Sequence, residues 1–176
     1  MKALVDLFWQ ILLLRRGPQD VPDAPVLPAL LAALYVLVSL PLGLTSFGGW
    51  GRSLGAVLLE LVLSAALLFA ALQVRGHAAR WRQTYAAILG TGTLVGVLAL
   101  GYRLLGTLLG LTPLADLLDL AFLVWSLVVL GHILRHALEI PMALAVALAL
   151  AYTMFLVGLL AQWLLPEAVP PAPAFE

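Results

Sequence analysis

Long apolar runs broken by short polar punctuation organise this chain. Five runs stand out, over residues 26–44, 54–74, 83–111, 113–136 and 141–165. Each is about the length a helix needs to cross a hydrocarbon core roughly 30 Å thick. The runs are continuously apolar, whereas the strands of a membrane barrel alternate apolar and polar residues. Helices, which satisfy their backbone hydrogen bonds within the segment, are then the way to cross lipid. The pattern predicts an all-α membrane protein, a five-helix transmembrane bundle over residues 26–165.

The punctuation agrees. Residues 17–25 (GPQDVPDAP) read as a linker, and 45–53 (TSFGGWGRS) and 75–82 (RGHAARWR) as loops. Thr112-Pro113 reads as an N-cap followed by proline at the first helical position, and Glu139-Ile140-Pro141 opens the fifth span. Breaking the third run at Tyr102-Arg103 would leave nine residues before Thr112, too few for another crossing. Residues 166–176 (PEAVPPAPAFE) are proline-rich and acidic and are expected to be disordered.

Residues 1–16 differ from the rest. Ala3 to Leu14 is apolar but too short to span. Asp6 interrupts it and Arg15-Arg16 follow it, an order unlike that of a secretory or twin-arginine signal. Lys2, Asp6 and Gln10 recur every four residues as a narrow polar stripe. The reading is an amphipathic helix in the cytoplasmic interface, with Phe8 and Trp9 in the acyl region and the arginines near headgroups.

Composition adds to this picture. Hydrophobic residues make up 64% of the 176 and charged residues only 10%, well outside the range of soluble domains. Formal net charge is zero, and no basic stretch is long enough to point to nucleic acid. The absence of cysteine excludes disulfides, thiol catalysis and thiolate metal sites. An alanine- and leucine-rich chain whose basic residues are arginines but for one lysine reads as a bacterial protein. With the N-terminus inside, Lys2, Arg15, Arg16, Arg75, Arg80, Arg82 and Arg135 are cytoplasmic, and only Arg52 and Arg103 lie toward the outside. That bias predicts an inner-membrane protein with a cytoplasmic N-terminus and an external C-terminus. It also puts Trp50 and Trp163 at the outer boundary and Trp81 at the inner one.

Ionisable residues inside spans are costly and therefore candidates for function. Glu60, Arg103, Asp116 and Asp119 are the four. Arg103 and Asp119 flank the turn near Thr112 at similar separations, and Glu60 is expected six residues inside its span. On the third helix Tyr85, Gly92, Gly96, Arg103, Thr107 and Gly110 fall within roughly 60°. The pairs Gly92/Gly96 and Gly106/Gly110 allow close helix approach. Glu60 and Ser64 share a face with Ala56 and Ala71, and Asp116 and Asp119 share one with Thr112 and Ser126. Three faces thus converge on Arg103. One reading is a structural clasp, to which arginine's fork is suited. The other is a polar site for a proton, ion or anionic headgroup, for which a transporter would need a position nearer the midplane.

Other candidates are weaker. His132 and His136 are one turn apart but lack a third ligand, so no metal site and no cofactor is expected. Histidines at that end of a span are expected to be solvated or lipid-facing. The Asp116/Asp119 pair lacks the glycine and arginine setting of lipid phosphotransferases, and no serine sits in a Gly-x-Ser-x-Gly elbow. No enzyme is therefore expected. On the fifth span Ala143, Ala147, Ala151, Gly158 and Gln162 lie on one side within about 100°. That face reads as a packing seam inside the bundle or as a surface for self-association.

The segment Trp125 to Leu160 (WSLVVLGHILRHALEIPMALAVALALAYTMFLVGLL) couples an apolar half-span, a basic exit, a short turn and a small-residue helix. Arg80 to Leu100 (RWRQTYAAILGTGTLVGVLAL) is a basic entry to a glycine-rich span. With the five-span count, this resembles the Yip family, Rab-interacting membrane proteins and their bacterial relatives, over roughly residues 26–165. The chain lacks the long N-terminal region and the Asp-Leu-Tyr-Gly-Pro signature, so GTPase binding does not carry over. The resemblance implies a compact bundle acting without catalysis in membrane organisation, with lipid and other membrane proteins, or a second copy, as partners.

Overall fold

The computed structural model describes residues 2–164, with side chains to residue 162. The segment 166–176 assigned to disorder lies outside the described residues, as does the side chain of Trp163 assigned to the outer boundary. The helices are α1 (Lys2–Leu12), α2 (Leu27–Phe47), α3 (Trp50–Val74), α4 (Trp81–Leu108), α5 (Thr112–Leu138) and α6 (Met142–Leu164). Short 3-10 turns occupy Pro18–Asp20 and Ala78–Arg80.

Helices α2 to α6 are long and apolar enough to cross a membrane, with mean hydropathy between 1.6 and 2.4. Only 17–22% of each apolar stretch is buried inside the bundle. A water-soluble bundle turns its apolar stripes inward and does not expose apolar patches on this scale. Lipid is the solvent this surface requires, and the chain is a multi-pass membrane protein.

Element ends depart from the sequence reading where turn chemistry is compact. The loop expected over residues 45–53 shrinks to Gly48–Gly49. Gly48 closes α2 in a left-handed conformation (φ 69°) that glycine adopts without a Cβ penalty, its N–H bonded to the Leu44 carbonyl. Because α3 starts at Trp50, Glu60 lies ten residues inside its helix rather than six. That is about 15 Å along the axis, near the bundle's mid-depth.

Around the bundle the order is α2, α4, α5, α6 and α3, with α3 packed mainly on α2 and touching α6. Gly92 and Gly96 let α2 lie close alongside α4. A Cβ on Gly92 would meet Tyr35 Cε2 at 3.0 Å, and one on Gly96 would meet Val38 Cγ1 at 2.6 Å. Gly106 faces the Ala115 methyl of α5 in the same way, at 3.0 Å. Gly110, grouped with it as a packing residue, is instead a turn glycine with φ 68° and nothing within 4 Å.

The expected seam on α6 also needs correction. Ala143, Ala147, Ala151 and Gly158 are exposed, and Ala145 and Ala149 are fully buried instead. The helix carries small residues on nearly opposite sides, and its partner decides which side faces in. That partner is α5, where a Cβ on Gly131 would meet Val146 Cγ2 at 2.6 Å and its backbone N at 3.1 Å.

Helix α1 does not present Phe8 to the acyl region. Phe8 packs on Gly90 of α4, and with Leu7, Ile11 and Leu12 it belongs to the main core cluster. Trp9, Val5 and Leu13 do face outward, and Lys2 and Asp6 are exposed beside them. The Trp125 indole N–H donates to the Leu12 carbonyl at 3.2 Å. It thereby satisfies one of the acceptors that a helix end leaves open. Phe8 turns to the protein interior because Gly90 leaves a recess for the ring, which ends only 4% exposed.

Candidate functional site

The four ionisable residues singled out in the spans do not form one cluster around Arg103. Arg103 of α4 and Asp119 of α5 meet across the antiparallel hairpin. Nε donates to Oδ1 at 3.0 Å and Nη2 donates to Oδ2, the bidentate geometry that makes such pairs strong. Tyr102, not among the sequence candidates, donates its hydroxyl to the same Asp119 Oδ1. Its ring stacks on Phe122 with centroids 5.2 Å apart. Adjacent residues on a helix diverge by about 100°, so periodicity alone puts Tyr102 on another face. Its long side chain bridges the difference.

Glu60 is engaged elsewhere. The Tyr35 hydroxyl of α2 donates to Glu60 Oε1 at 2.7 Å, a partner on the one long helix between residues 26 and 136 from which no candidate was drawn. Asp116 is exposed and makes no ion pair among the described residues. Even so, Glu60, Arg103 and Asp119 line one cavity of about 310 Å³. Tyr35, Ser39 and Ser46 of α2, Ala56 of α3 and Leu160 of α6 complete it, so all five spanning helices contribute. The cavity extends from the α2–α3 turn to Glu60 and Tyr35 near mid-depth.

Other polar groups in the spans also tie helices together. Tyr85 and Trp81 of α4 donate to the Leu61 and Ala65 carbonyls of α3, at 2.8 and 3.1 Å. Most of the threonines bond back to carbonyls of their own helix, as Thr91 does to Ala87 at 2.7 Å.

The opposite end of the bundle gathers arginines. Arg80 pairs with Glu139 at 2.7 Å, and Arg82 with Asp23 at 3.0 Å. Arg75 Nε donates to the Leu138 carbonyl at 3.1 Å, which joins α3 to the α5–α6 turn. The hydrogen bond from Arg80, then the charges of Arg80 and His77, hold the Glu139 carboxyl below its ordinary value of 4.5. His132, expected to be solvated or lipid-facing, is buried with Nε2 2.9 Å from the Arg16 carbonyl. The His136 ring lies edge-on to it at 4.6 Å. Among the described residues, no group of three or more His, Asp or Glu side chains is placed to hold a metal ion. Comparison with protein-family models, with curated proteins and with solved structures finds no match for this chain.

Proposed function

We propose that the chain is a non-catalytic scaffold or accessory partner in the organisation of a bacterial inner membrane, the role implied by its resemblance to the Yip family. The observation that carries this reading is how the polar groups in the spans are used. Tyr35–Glu60 joins α2 to α3, Tyr85 and Trp81 join α4 to α3, and Arg103 with Tyr102 joins α4 to α5. Polar side chains committed to neighbouring helices make a rigid platform. The outward surface left for lipid or another membrane protein includes the small-residue face of Ala143, Ala147, Ala151 and Gly158. In this reading the N-terminus is cytoplasmic and α1 lies at the inner interface, with Lys2 and Asp6 toward water and Trp9 toward the acyl chains. The arginines gathered at one end of the bundle support that orientation.

The test is crosslinking of the protein in native membranes, followed by mass spectrometry of what stays attached. A reproducible membrane-protein partner, or a crosslinked homodimer through α6, is the expected result. A monomer crosslinked to nothing at near-complete reagent conversion would reject the scaffold.

One observation favours a second reading, a small transporter or channel component. The cavity shared by Glu60, Arg103 and Asp119 reaches mid-depth, where transporter sites lie. Proteoliposome flux of protons or small cations that is lost in Glu60→Gln would establish it. Flux equal to that of empty vesicles would dismiss it.

A further inference from the structure

We propose that a second cavity, of about 460 Å³ at the arginine-rich end of the bundle, binds a phosphate-bearing anion through Arg135 and Arg80. The cavity lies where the Pro18–Asp20 turn crosses the start of α4 and the end of α5. Its walls are set before any ligand arrives. Gln83 Nε2 donates to the Val21 carbonyl at 2.9 Å and pins the linker to α4. The Gly17 N–H donates to Asp20 Oδ2 at 3.0 Å and closes the turn.

The lining is rich in donors: the guanidinium groups of Arg80 and Arg135, the amide of Gln19 and the imidazole of His136. Two arginines line it against one carboxylate, Glu139, while the Asp20 carboxylate near His136 is engaged by the Gly17 N–H. Glu139 engages Arg80, whereas Arg135 has no ion-pair partner among the described residues. An unpaired guanidinium fork beside neutral donors matches a phosphate better than a carboxylate or halide, because two parallel N–H groups meet two oxygens.

Glu139 adds a second indication. It sits at φ 54°, a left-handed position at a helix end that glycine occupies more cheaply. The residue placed there is one whose carboxylate reaches Arg80. It acts as a displaceable counter-charge that occupies the arginine until a stronger anion arrives. At the end of two spanning helices such an anion has two sources, the headgroup of an anionic lipid or a soluble phosphate compound.

The test uses the full chain in a nonionic detergent. One arm titrates inorganic phosphate against chloride at constant ionic strength and follows binding by calorimetry. The other adds dioleoylphosphatidylglycerol or dioleoylphosphatidylcholine to the micelles and counts retained lipid by native mass spectrometry. Saturable binding in at least one arm is expected, weakened about fivefold by Arg135→Gln. Glu139→Gln, which releases Arg80, tightens it. Retention of phosphatidylglycerol over phosphatidylcholine without phosphate binding identifies a lipid headgroup. Phosphate binding without selective lipid retention identifies a soluble phosphate compound. No saturable binding in either arm overturns the proposal, as does binding that both substitutions leave unchanged. If Arg135→Gln fails to fold, the direction of the Glu139→Gln effect decides.

Discussion

At the scale of single residues, Arg103 illustrates how a charge is held in a span. Its fork meets Asp119 in two bonds while Tyr102 binds the same carboxylate, so removing the arginine leaves an acid short of its cation. Arg103→Ala should therefore lower the melting temperature in detergent more than Arg52→Ala. The Arg103→Ala/Asp119→Ala pair should show a coupling of about 1 kcal/mol or more in a double-mutant cycle. Additive losses would show that the two residues do not stabilise each other. Tyr102→Phe should cost about 1 kcal/mol, the net worth of one hydrogen bond. Glu139 behaves differently because it is exposed. Its carboxyl is held below the ordinary value by Arg80, so the ionised form favours the fold. That contribution is complete above the ordinary carboxylate range and fades as pH falls through the lowered value. Protection factors of the amides in the α5–α6 turn should drop as pH falls below the ordinary carboxylate range. In Glu139→Gln that drop should vanish; its persistence would assign the acid sensitivity to another group.

At the scale of helices, glycines with near neighbours differ from glycines that face outward. A Cβ on Gly131 meets the backbone of Val146, which cannot rotate away, while one on Gly158 meets nothing within 4 Å. Gly131→Val should force α5 and α6 apart at a cost of about 1–3 kcal/mol. Gly158→Ala should be neutral or stabilise by up to about 1 kcal/mol through helix propensity. Thermal melts of the two variants in one detergent would check this, and equal losses would contradict the α5–α6 packing. The third-helix stripe from Tyr85 to Arg103 was legible from its 3.6-residue period. What the period did not contain is that this stripe serves three neighbours in succession. Tyr85 reaches α3, Gly92 and Gly96 reach α2, and Arg103 reaches α5. Helices that cross at an angle hand one face from partner to partner along their length.

At the scale of the whole molecule, the gathering of arginines at one end yields a topology that can be measured. In this cysteine-free chain, Ala78→Cys should resist an impermeant thiol reagent added outside intact cells, and Trp50→Cys should react. Labelling at position 78 but not at 50 would invert the protein in its membrane. The same end holds Arg16, Arg75, Arg80, Arg82 and Arg135, in separate contacts. The far end holds Arg103 and the cavity beneath the α2–α3 turn.

Class and number of spans followed from the sequence because lipid imposes a one-dimensional rule. About 20 apolar residues must follow one another, and no partner is needed to read them. The Arg103–Asp119 pairing was legible for a related reason, since a short turn forces the two flanking helices into antiparallel register. The partner of Glu60, the depth of that carboxylate, the inward side of α6 and the burial of Phe8 were decided only in three dimensions. Each depends on which helix stands next to which. Apolar helices in lipid carry no hydropathic mark of their buried face, since outside and inside are equally apolar. Shape complementarity makes the choice instead, through Gly90 under Phe8, Gly131 against Val146 and Tyr35 within reach of Glu60.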